Sequence, residues 1–201
     1  MRRILILLFL TNLTILQINN AQTNKGRIVL SFSSNILGMN IGSSLLNTSY
    51  SWEGDNEQTA LNLTPRIGCF LGNNIAGGVD ISLFYTSSKS GSDKATNTIS
   101  GLGPFIRFYN STTKNTKPFF ELNASYLSSK SKYNDVGYSV TIHIYNFFVG
   151  AGISYFAKEN LAFEVVGGYS CYIPSNEDSK TINSLSLKVG IVLLFDKKEK
   201  K

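Results

Sequence analysis

The sequence is poor in charge, proline, cysteine and histidine, and each scarcity narrows what the protein can be. Charged residues make up 16% of the 201 positions, and the chain has four prolines, two cysteines and one histidine. Cys69, Cys171 and His143 lie far apart in the chain and lack the spacing of a zinc site. Phosphate-binding loops and nucleophile motifs are also absent from the sequence. We therefore expect no cofactor, no metal site and no enzyme.

Long apolar runs are missing once the first twenty residues are passed. A membrane-spanning helix needs about 20 apolar residues in a row, so helical spans are not expected in the rest of the chain. The start is different, because a basic beginning, an apolar stretch over 4–10 and a small Ala21 predict a cleaved signal peptide over 1–21. The apolar character continues weakly to residue 18, so a retained membrane anchor is the alternative.

The net charge of +6 is not evenly spread along the chain. Arg2 and Arg3 lie in the predicted signal, and the tail at 196–201 carries four lysines against two acids. The remaining domain, 22–195, keeps a charge of about +2, which gives no reason to expect nucleic acid as a partner.

After Gln22 the sequence breaks into short segments in which apolar and polar residues alternate, the period of β-strands. Most segments hold ten residues or more, which suits strands that cross a membrane at a tilt better than the shorter strands of soluble proteins. The alternation slips near Tyr145 to Phe148, where we expect a β-bulge. Eight strands are predicted, at 27–38, 59–71, 74–86, 98–110, 117–128, 137–157, 160–172 and 181–195.

The links between these strands alternate in length. Short turns follow the second, fourth and sixth strands, and longer polar links follow the first, third, fifth and seventh. An up-and-down barrel of the outer membrane has this asymmetry, with tight turns on the periplasmic side and long loops outside. In lipid every backbone polar group must be paired, so strands cross only as a closed barrel. The predicted fold is therefore all-β, an eight-stranded antiparallel up-and-down transmembrane barrel.

Mid-strand charges fall on the less apolar face of every strand that carries one. A basic residue on the lipid face costs roughly 2–4 kcal/mol at mid-bilayer, whereas charges inside a barrel can pair with one another. We expect an ion-pair network that fills the lumen, because eight strands enclose just enough room for side chains. Glycines on the same face would leave space for larger neighbours. The network comprises Arg66, Asp80, Arg107, Glu121, Glu164 and Lys188.

Aromatic residues near strand ends predict belts at the two membrane surfaces, where an amphipathic ring is favoured. The predicted belt residues are Tyr85, Phe108, Tyr109, Phe119, Tyr126, Tyr155, Phe156, Tyr169, Tyr172 and Phe195. The two cysteines fall within strands and are expected to be free thiols.

Several segments resemble the OmpX-like and OmpA-like outer-membrane β-barrel family, especially its short Bacteroidetes-type members, some of which are called porin family proteins. The segments are 63–71, 73–78, 103–109, 117–120 and 150–156. The resemblance implies a monomer in the cell outer membrane, in contact with lipid and lipopolysaccharide. It also implies that the barrel-assembly machinery reads Phe195 as an insertion signal, although six residues follow it here.

Four functions remain open from the sequence. The first is a structural and interaction protein with surface-exposed loops and a filled lumen. The second is a narrow porin-like channel. The third is a membrane-embedded lipid hydrolase, which would need His143 beside a serine such as Ser139 or Ser154. The fourth is a soluble lipocalin-type barrel, which would need the apolar face inside.

Overall fold

The computed structural model describes residues 21–41, 50–53, 56–91, 93–110, 115–133, 138–176 and 180–196. Positions 1–20 of the predicted signal peptide and 197–201 of the charged tail lie outside these ranges. Within them, no helix is long and apolar enough to cross a membrane. The described residues form a short 3-10 helix, Ala21–Thr23, and nine strands, which are β1 (Ile28–Ile41), β2 (Tyr50–Glu53), β3 (Asn56–Gly72), β4 (Ile75–Ser90), β5 (Asp93–Tyr109), β6 (Thr116–Tyr133), β7 (Tyr138–Lys158), β8 (Leu161–Pro174) and β9 (Ile182–Phe195).

The strands close into a barrel. From β3 to β9 each strand pairs with the next in antiparallel register, and β1 joins β9 on one side and β3 on the other. The short β2 pairs with the far end of β3, where Tyr50 lies opposite Thr59. Eight described strands therefore form the closed wall, and the predicted up-and-down barrel is confirmed.

The connections alternate between the two ends of the barrel, but their lengths do not alternate as predicted, since the link between β5 and β6 spans 110–115 and the link between β4 and β5 spans only 91–92. One end, here called the short-turn end, carries the turn at Asn73–Asn74, the link between β5 and β6, and the turn at Glu159–Asn160. Asn74 adopts a positive φ of 65°, a conformation that asparagine tolerates well in tight turns. The opposite, long-loop end carries the connections from β1, β4, β6 and β8.

The predicted long links at 87–97 and 129–136 are largely wrong as loops. β4 and β5 stay paired out to Ser90 opposite Asp93, and Gly91 turns between them with a φ of 59°. β5 and β6 likewise stay paired out to Ala95 opposite Tyr133. The polar composition of these stretches led to the wrong prediction of loops, because the hydrogen bonds between strands need no apolar side chain. Strands that project beyond the membrane also lose the apolar alternation.

The wall has an apolar outside and a tightly filled inside. Ile67, Ile81, Leu102 and Phe163 are among the outward side chains that are exposed, whereas inward neighbours are buried. Isolated in water, such a surface would be an apolar patch far larger than soluble proteins show. The predicted orientation of the two faces is confirmed over the described strands.

The predicted bulge at Tyr145 to Phe148 is wrong. The pairing of β7 with β6 runs without a shift from Tyr138 opposite Tyr133 to Tyr155 opposite Thr116. Phe148 is an inward side chain, 3% exposed, so an aromatic residue in the lumen broke the expected alternation. The β7–β8 ladder does shift, near the short-turn end, between Phe156 and Lys158.

Four predicted belt residues are wrong for the same reason, and one of them, Tyr172, is half-buried on the inward face of β8 that Glu164 and Ser170 share. Tyr109, Phe119 and Phe156 point inward and are buried at the short-turn end of the lumen. Each lies an even number of residues from the inward side chains of its strand. Because successive side chains point to opposite faces, this spacing decides orientation more strongly than closeness to a strand end. Tyr85, Tyr126, Tyr155, Tyr169 and Phe195 are exposed, as a belt requires.

The segment before β1 covers the short-turn end. Gln22 and Thr23 are buried, and the backbone amide of Asn74 donates to the carbonyl of Thr23 at 2.9 Å. Arg27 donates through Nη1 to the carbonyl of Glu159 at 3.1 Å and pairs with Asp196 at 2.7 Å. These contacts join the beginning and the end of the described chain across the turns. Cys69 and Cys171 are free thiols, as expected.

Glycines on the inward face make room for aromatic rings, which gives a stability prediction. A Cβ on Gly168 would lie 2.3 Å from the ring of Phe148, whereas a Cβ on the adjacent outward Gly167 would meet nothing within 4 Å. We expect Gly168→Ala to destabilise the barrel by about 1–3 kcal/mol, the usual cost of overpacking.

The measurement is the urea midpoint at which the compact gel band of the detergent-solubilised barrel is lost. Gly167→Ala is the control and should leave the midpoint within error. Equal midpoints for the two variants would show that the lumen around Phe148 is loosely packed.

Candidate functional site in the barrel lumen

The six predicted ions lie together in the lumen. Arg66, Asp80, Arg107, Glu121 and Glu164 come from β3, β4, β5, β6 and β8, and each is at most 5% exposed. The sixth, Lys188 of β9, is half-buried. Alternation turns all of these side chains inward, and the staggered register of a barrel brings distant strands to one level. These six residues are here called the ion cluster.

Arg66 holds two carboxylates at once. It contacts Asp80, which is directly opposite it on β4, through two guanidinium nitrogens, one of them at 2.9 Å. Its other contacts reach across the lumen to Glu121 on β6, from Nη1 at 2.7 Å and from Nη2 at 2.8 Å. Paired, charge-assisted bonds of this kind are the stronger hydrogen bonds in proteins and fix geometry as well as charge.

Arg107 continues the cluster toward β8. Its Nε and Nη2 donate to Glu121 Oε2 at 2.8 and 2.6 Å, and Nη1 pairs with Glu164. Nη1 also donates to the hydroxyl of Tyr109 at 2.9 Å. Glu121, which is 1% exposed, therefore bridges both arginines. Removing one partner of such a buried network leaves an uncompensated charge, which typically costs 3–5 kcal/mol.

Neutral polar side chains add hydrogen bonds to carboxylate oxygens that the arginines already contact. Asn123 donates to Asp80 Oδ2 at 2.8 Å, and Ser125 in turn donates to Asn123 at 2.7 Å. Ser154 donates to Glu164 Oε1 at 2.7 Å. These three residues were not predicted as part of the site. They share the inward parity of their strands with the charged residues, and that parity is the signal that could have identified them.

Aromatic rings pack against each cation of the cluster. The guanidinium of Arg66 lies 4.2 Å from the ring centre of Phe105, and that of Arg107 lies 3.9 Å from Phe119. Lys188 Nζ lies 3.9 Å from the ring centre of Phe148. A cation over an aromatic face gains about 2 kcal/mol or more when water is excluded. The rings hold the cations in place and fill the space beside them.

Lys188 differs from the two arginines in its partners. The ion pairs formed by Asp80, Glu121 and Glu164 in the described structure all involve Arg66 or Arg107. With three carboxylates against two arginines, the ammonium of Lys188 brings the net charge of the cluster to zero. The ammonium attracts the carboxylates over a longer distance than a direct ion pair, because a low dielectric strengthens charge interactions in the lumen.

The lumen changes character on either side of the cluster. Toward the short-turn end it holds the aromatic rings of Phe70, Tyr109 and Phe119, in contact at ring distances of 5.4 and 5.6 Å, together with the fully buried Lys117 of β6. Toward the long-loop end it carries small polar side chains. Asn62 is 3% exposed, and both of its amide atoms lack a partner within the described structure, as does Ser186 Oγ. Water is the usual partner of such buried polar groups.

This arrangement can block passage and fix strand register. In the described ranges, no group of three His, Cys, Asp or Glu side chains is placed to hold a metal ion. His143 is exposed on the outer wall, stacked on Tyr126, whereas Ser154 is buried on the inner wall. The wall separates His143 from Ser154, and Ser139, exposed on the same outer face of β7, lies four residues from His143, about 13 Å along the strand. Phe195, the predicted insertion signal, ends β9 and is 48% exposed.

An antiparallel eight-stranded barrel with an apolar outer wall and a lumen filled by ionic and aromatic side chains has the architecture of small outer-membrane β-barrels. Solved structures of that class resemble the chain in fold. Ail, the attachment invasion locus protein of Yersinia pestis, in complex with the heparin analogue sucrose octasulfate, matches with a TM-score of 0.51 and 11% identity over 85% of this chain and 99% of that one.

Two further similar structures are the outer membrane protein OprG from Pseudomonas aeruginosa and Neisserial surface protein A. OprG has a TM-score of 0.46 and 10% identity over 88% of this chain and 99% of its own. The Neisserial protein has a TM-score of 0.45 and 16% identity over 85% of this chain and 97% of its own. No family model and no curated protein matches the sequence. At these identities the likeness concerns the fold, and it agrees with the outer-membrane location expected from the sequence.

Neutralising Glu121 tests whether the ion cluster stabilises the barrel. Glu121→Gln keeps the size of the side chain but leaves the buried Arg66 and Arg107 short of one negative charge. We expect a loss of about 3–5 kcal/mol in the free energy of unfolding, measured by urea titration of the compact gel band.

The control is Glu159→Gln, which removes the same charge from an exposed turn and should change stability by less than about 0.5 kcal/mol. Equal effects from the two substitutions would mean that Glu121 is hydrated and that the cluster is not the stabilising element.

Proposed function

We propose that the protein is a monomeric structural and interaction protein of the outer membrane, anchored by its barrel and presenting its long-loop hairpins outside the cell. The observation that carries this proposal is the filled lumen. Arg66, Glu121 and Arg107 bridge the barrel from β3 to β6 and β5, and Arg107 extends the bridge to Glu164 of β8. Such a lumen supports anchoring better than transport.

The outer wall supports the membrane part of the proposal. Exposed leucine, isoleucine, valine and phenylalanine side chains cover it between rows of exposed tyrosines such as Tyr85 and Tyr155. This pattern favours a hydrocarbon environment with amphipathic rings at its borders. It disfavours the lipocalin-type alternative, which would place the apolar face inside.

The hairpins at the long-loop end support the interaction role. β4 and β5 project together as far as Ser90 and Asp93, and β5 and β6 share the projection. Their exposed serine, threonine and lysine side chains form a polar surface that stands on a rigid ladder. The barrel-assembly machinery, reading Phe195 at the end of β9, is the partner we propose for insertion.

Cysteine labelling on whole cells tests location and orientation together. In a Cys69→Ala/Cys171→Ala background, a membrane-impermeant maleimide should label Ser90→Cys on intact cells, because this residue is exposed on a projecting hairpin. Glu159→Cys, in the exposed turn of the short-turn end, should react only after permeabilisation.

The labelled protein should also be recovered in the outer-membrane fraction. Labelling of both cysteines in a soluble periplasmic fraction would contradict the proposal. The transport alternative is checked with the same purified protein in planar bilayers, where a filled lumen should give no steady conductance, and reproducible open levels would favour a channel.

A further inference from the structure

Four lysines gather on the outward face of the projecting hairpins. They are Lys89 of β4, Lys94 of β5, and Lys130 and Lys132 of β6, and all four are exposed. Each follows the outward parity of its strand, the parity of Tyr85, Leu102 and Tyr126 further down the wall. We call these four residues the lysine patch. They were not singled out by the sequence analysis, because the strands were expected to end before them.

The register places these charges side by side. Lys89 lies directly opposite Lys94, and like charges in that position destabilise a pair of strands. Hydroxyl residues surround Lys130 and Lys132 on both sides, at Thr98 and Thr96 on β5 and at Thr141 and Ser139 on β7. Glu57, opposite Lys89, is the one acid on this face in the described part of β3 to β6. The patch therefore keeps a net charge of about +3, by the counting rule for exposed faces.

The chemistry of the patch suits phosphate. A lysine ammonium binds phosphate as a compact point charge, and nearby hydroxyl groups can donate further hydrogen bonds to its oxygens. An anion between Lys89 and Lys94 would also remove the repulsion that the register imposes on this pair. The patch thus has both a reason to bind an anion and the donors to hold it.

The height of the patch indicates where the phosphate comes from. Lys130 lies four residues beyond the exposed belt residue Tyr126, about 13 Å along the strand at roughly 3.3 Å per residue, and less in height because barrel strands tilt. Long lysine side chains can bend back toward a membrane surface. The ammonium group of Lys130, and that of Lys89 at the same four-residue spacing beyond Tyr85, can therefore reach the headgroup layer that borders the hydrocarbon, on the outward face of the wall.

We propose that the lysine patch binds the phosphate groups of the outer-leaflet glycolipid, lipopolysaccharide, in the membrane around the barrel. This inference rests on the proposed outer-membrane location and names the surface that would contact the lipid. Binding would hold the projecting hairpins upright over the headgroups and would neutralise a cluster that is otherwise repulsive.

The test is a calorimetric titration of bisphosphorylated lipid A into the full chain, folded in zwitterionic micelles at low salt. Lys130→Gln/Lys132→Gln removes two charges from the patch, and Lys158→Gln/Lys180→Gln removes two exposed charges elsewhere. Since a basic residue at an anionic surface contributes about fivefold in affinity, the first pair should weaken binding roughly 25-fold. The control pair should change it less than about twofold.

A second measurement asks whether Lys94→Gln stabilises or destabilises the barrel in the absence and in the presence of lipid A. Without lipid A, Lys94→Gln should raise the urea midpoint of the barrel, because it removes the repulsion from Lys89. With bound lipid A, the same substitution should lower the midpoint relative to the unaltered protein, because a phosphate ligand is lost. This reversal would not arise if Lys94 were an ordinary solvated residue.

Equal weakening by both double substitutions, or equal binding of dephosphorylated lipid A, would overturn the inference. Equal binding of inorganic phosphate alone would assign the patch to a soluble anion and overturn the lipid assignment. If the cysteine labels place the barrel in the outer membrane but lipid A binding ignores the patch, this inference fails and the proposed function stands. If the labels report a soluble protein, both fail.

Discussion

Charged side chains inside a narrow barrel must neutralise one another, because the lumen holds too little water to solvate them. Within the ion cluster of this protein the constraint is met by Arg66, Arg107 and Lys188 against three carboxylates, with Glu121 shared by both arginines. The same constraint fixes the register of the wall. A slip of one residue would turn these side chains to the outside and replace them with apolar ones, and in lipid each basic residue would then cost roughly 2–4 kcal/mol. The ion cluster thus specifies one closed arrangement of strands.

The rest of the lumen is organised around the space that the cluster leaves. Phe105, Phe119 and Phe148 cover the three cations, and glycines on neighbouring strands leave room for two of these rings, since a Cβ on Gly152 would meet Phe119 and one on Gly168 would meet Phe148. Aromatic rings and the buried Lys117 fill the short-turn end, and small polar side chains lie beside Ile99 and Leu127 in the other half. A lumen of this kind anchors and supports, which leaves the projecting hairpins as the part of the molecule that can meet partners.

Strand periodicity was enough to predict the number of barrel strands, the two faces and all six ions, because each of these depends on local alternation. Periodicity failed to predict the orientation of apolar residues that fill space inside the lumen. Phe148, Tyr109 and Phe119 are apolar yet inward, since cations and glycines in the lumen make places for them, and those places depend on strands far away in the sequence. The pairing of the projecting hairpins was missed for a related reason. The strands of these hairpins have no apolar face, so their sequence does not reveal that they are strands. The register that places Lys89 opposite Lys94 is set by the pairing of β4 with β5 further down the wall.

The central claim, that paired charges inside the lumen hold the barrel together, is tested most directly by a double-mutant cycle on Arg66 and Asp80. The two residues are opposite each other on β3 and β4 and are in contact. Arg66→Met, Asp80→Leu and the double substitution are compared by urea unfolding in the same micelles. The account predicts that each single change destabilises strongly and that the double change costs less than the sum, with a coupling of about 0.5–3 kcal/mol. Strictly additive effects would contradict it, because they would mean that the two charges are solvated independently.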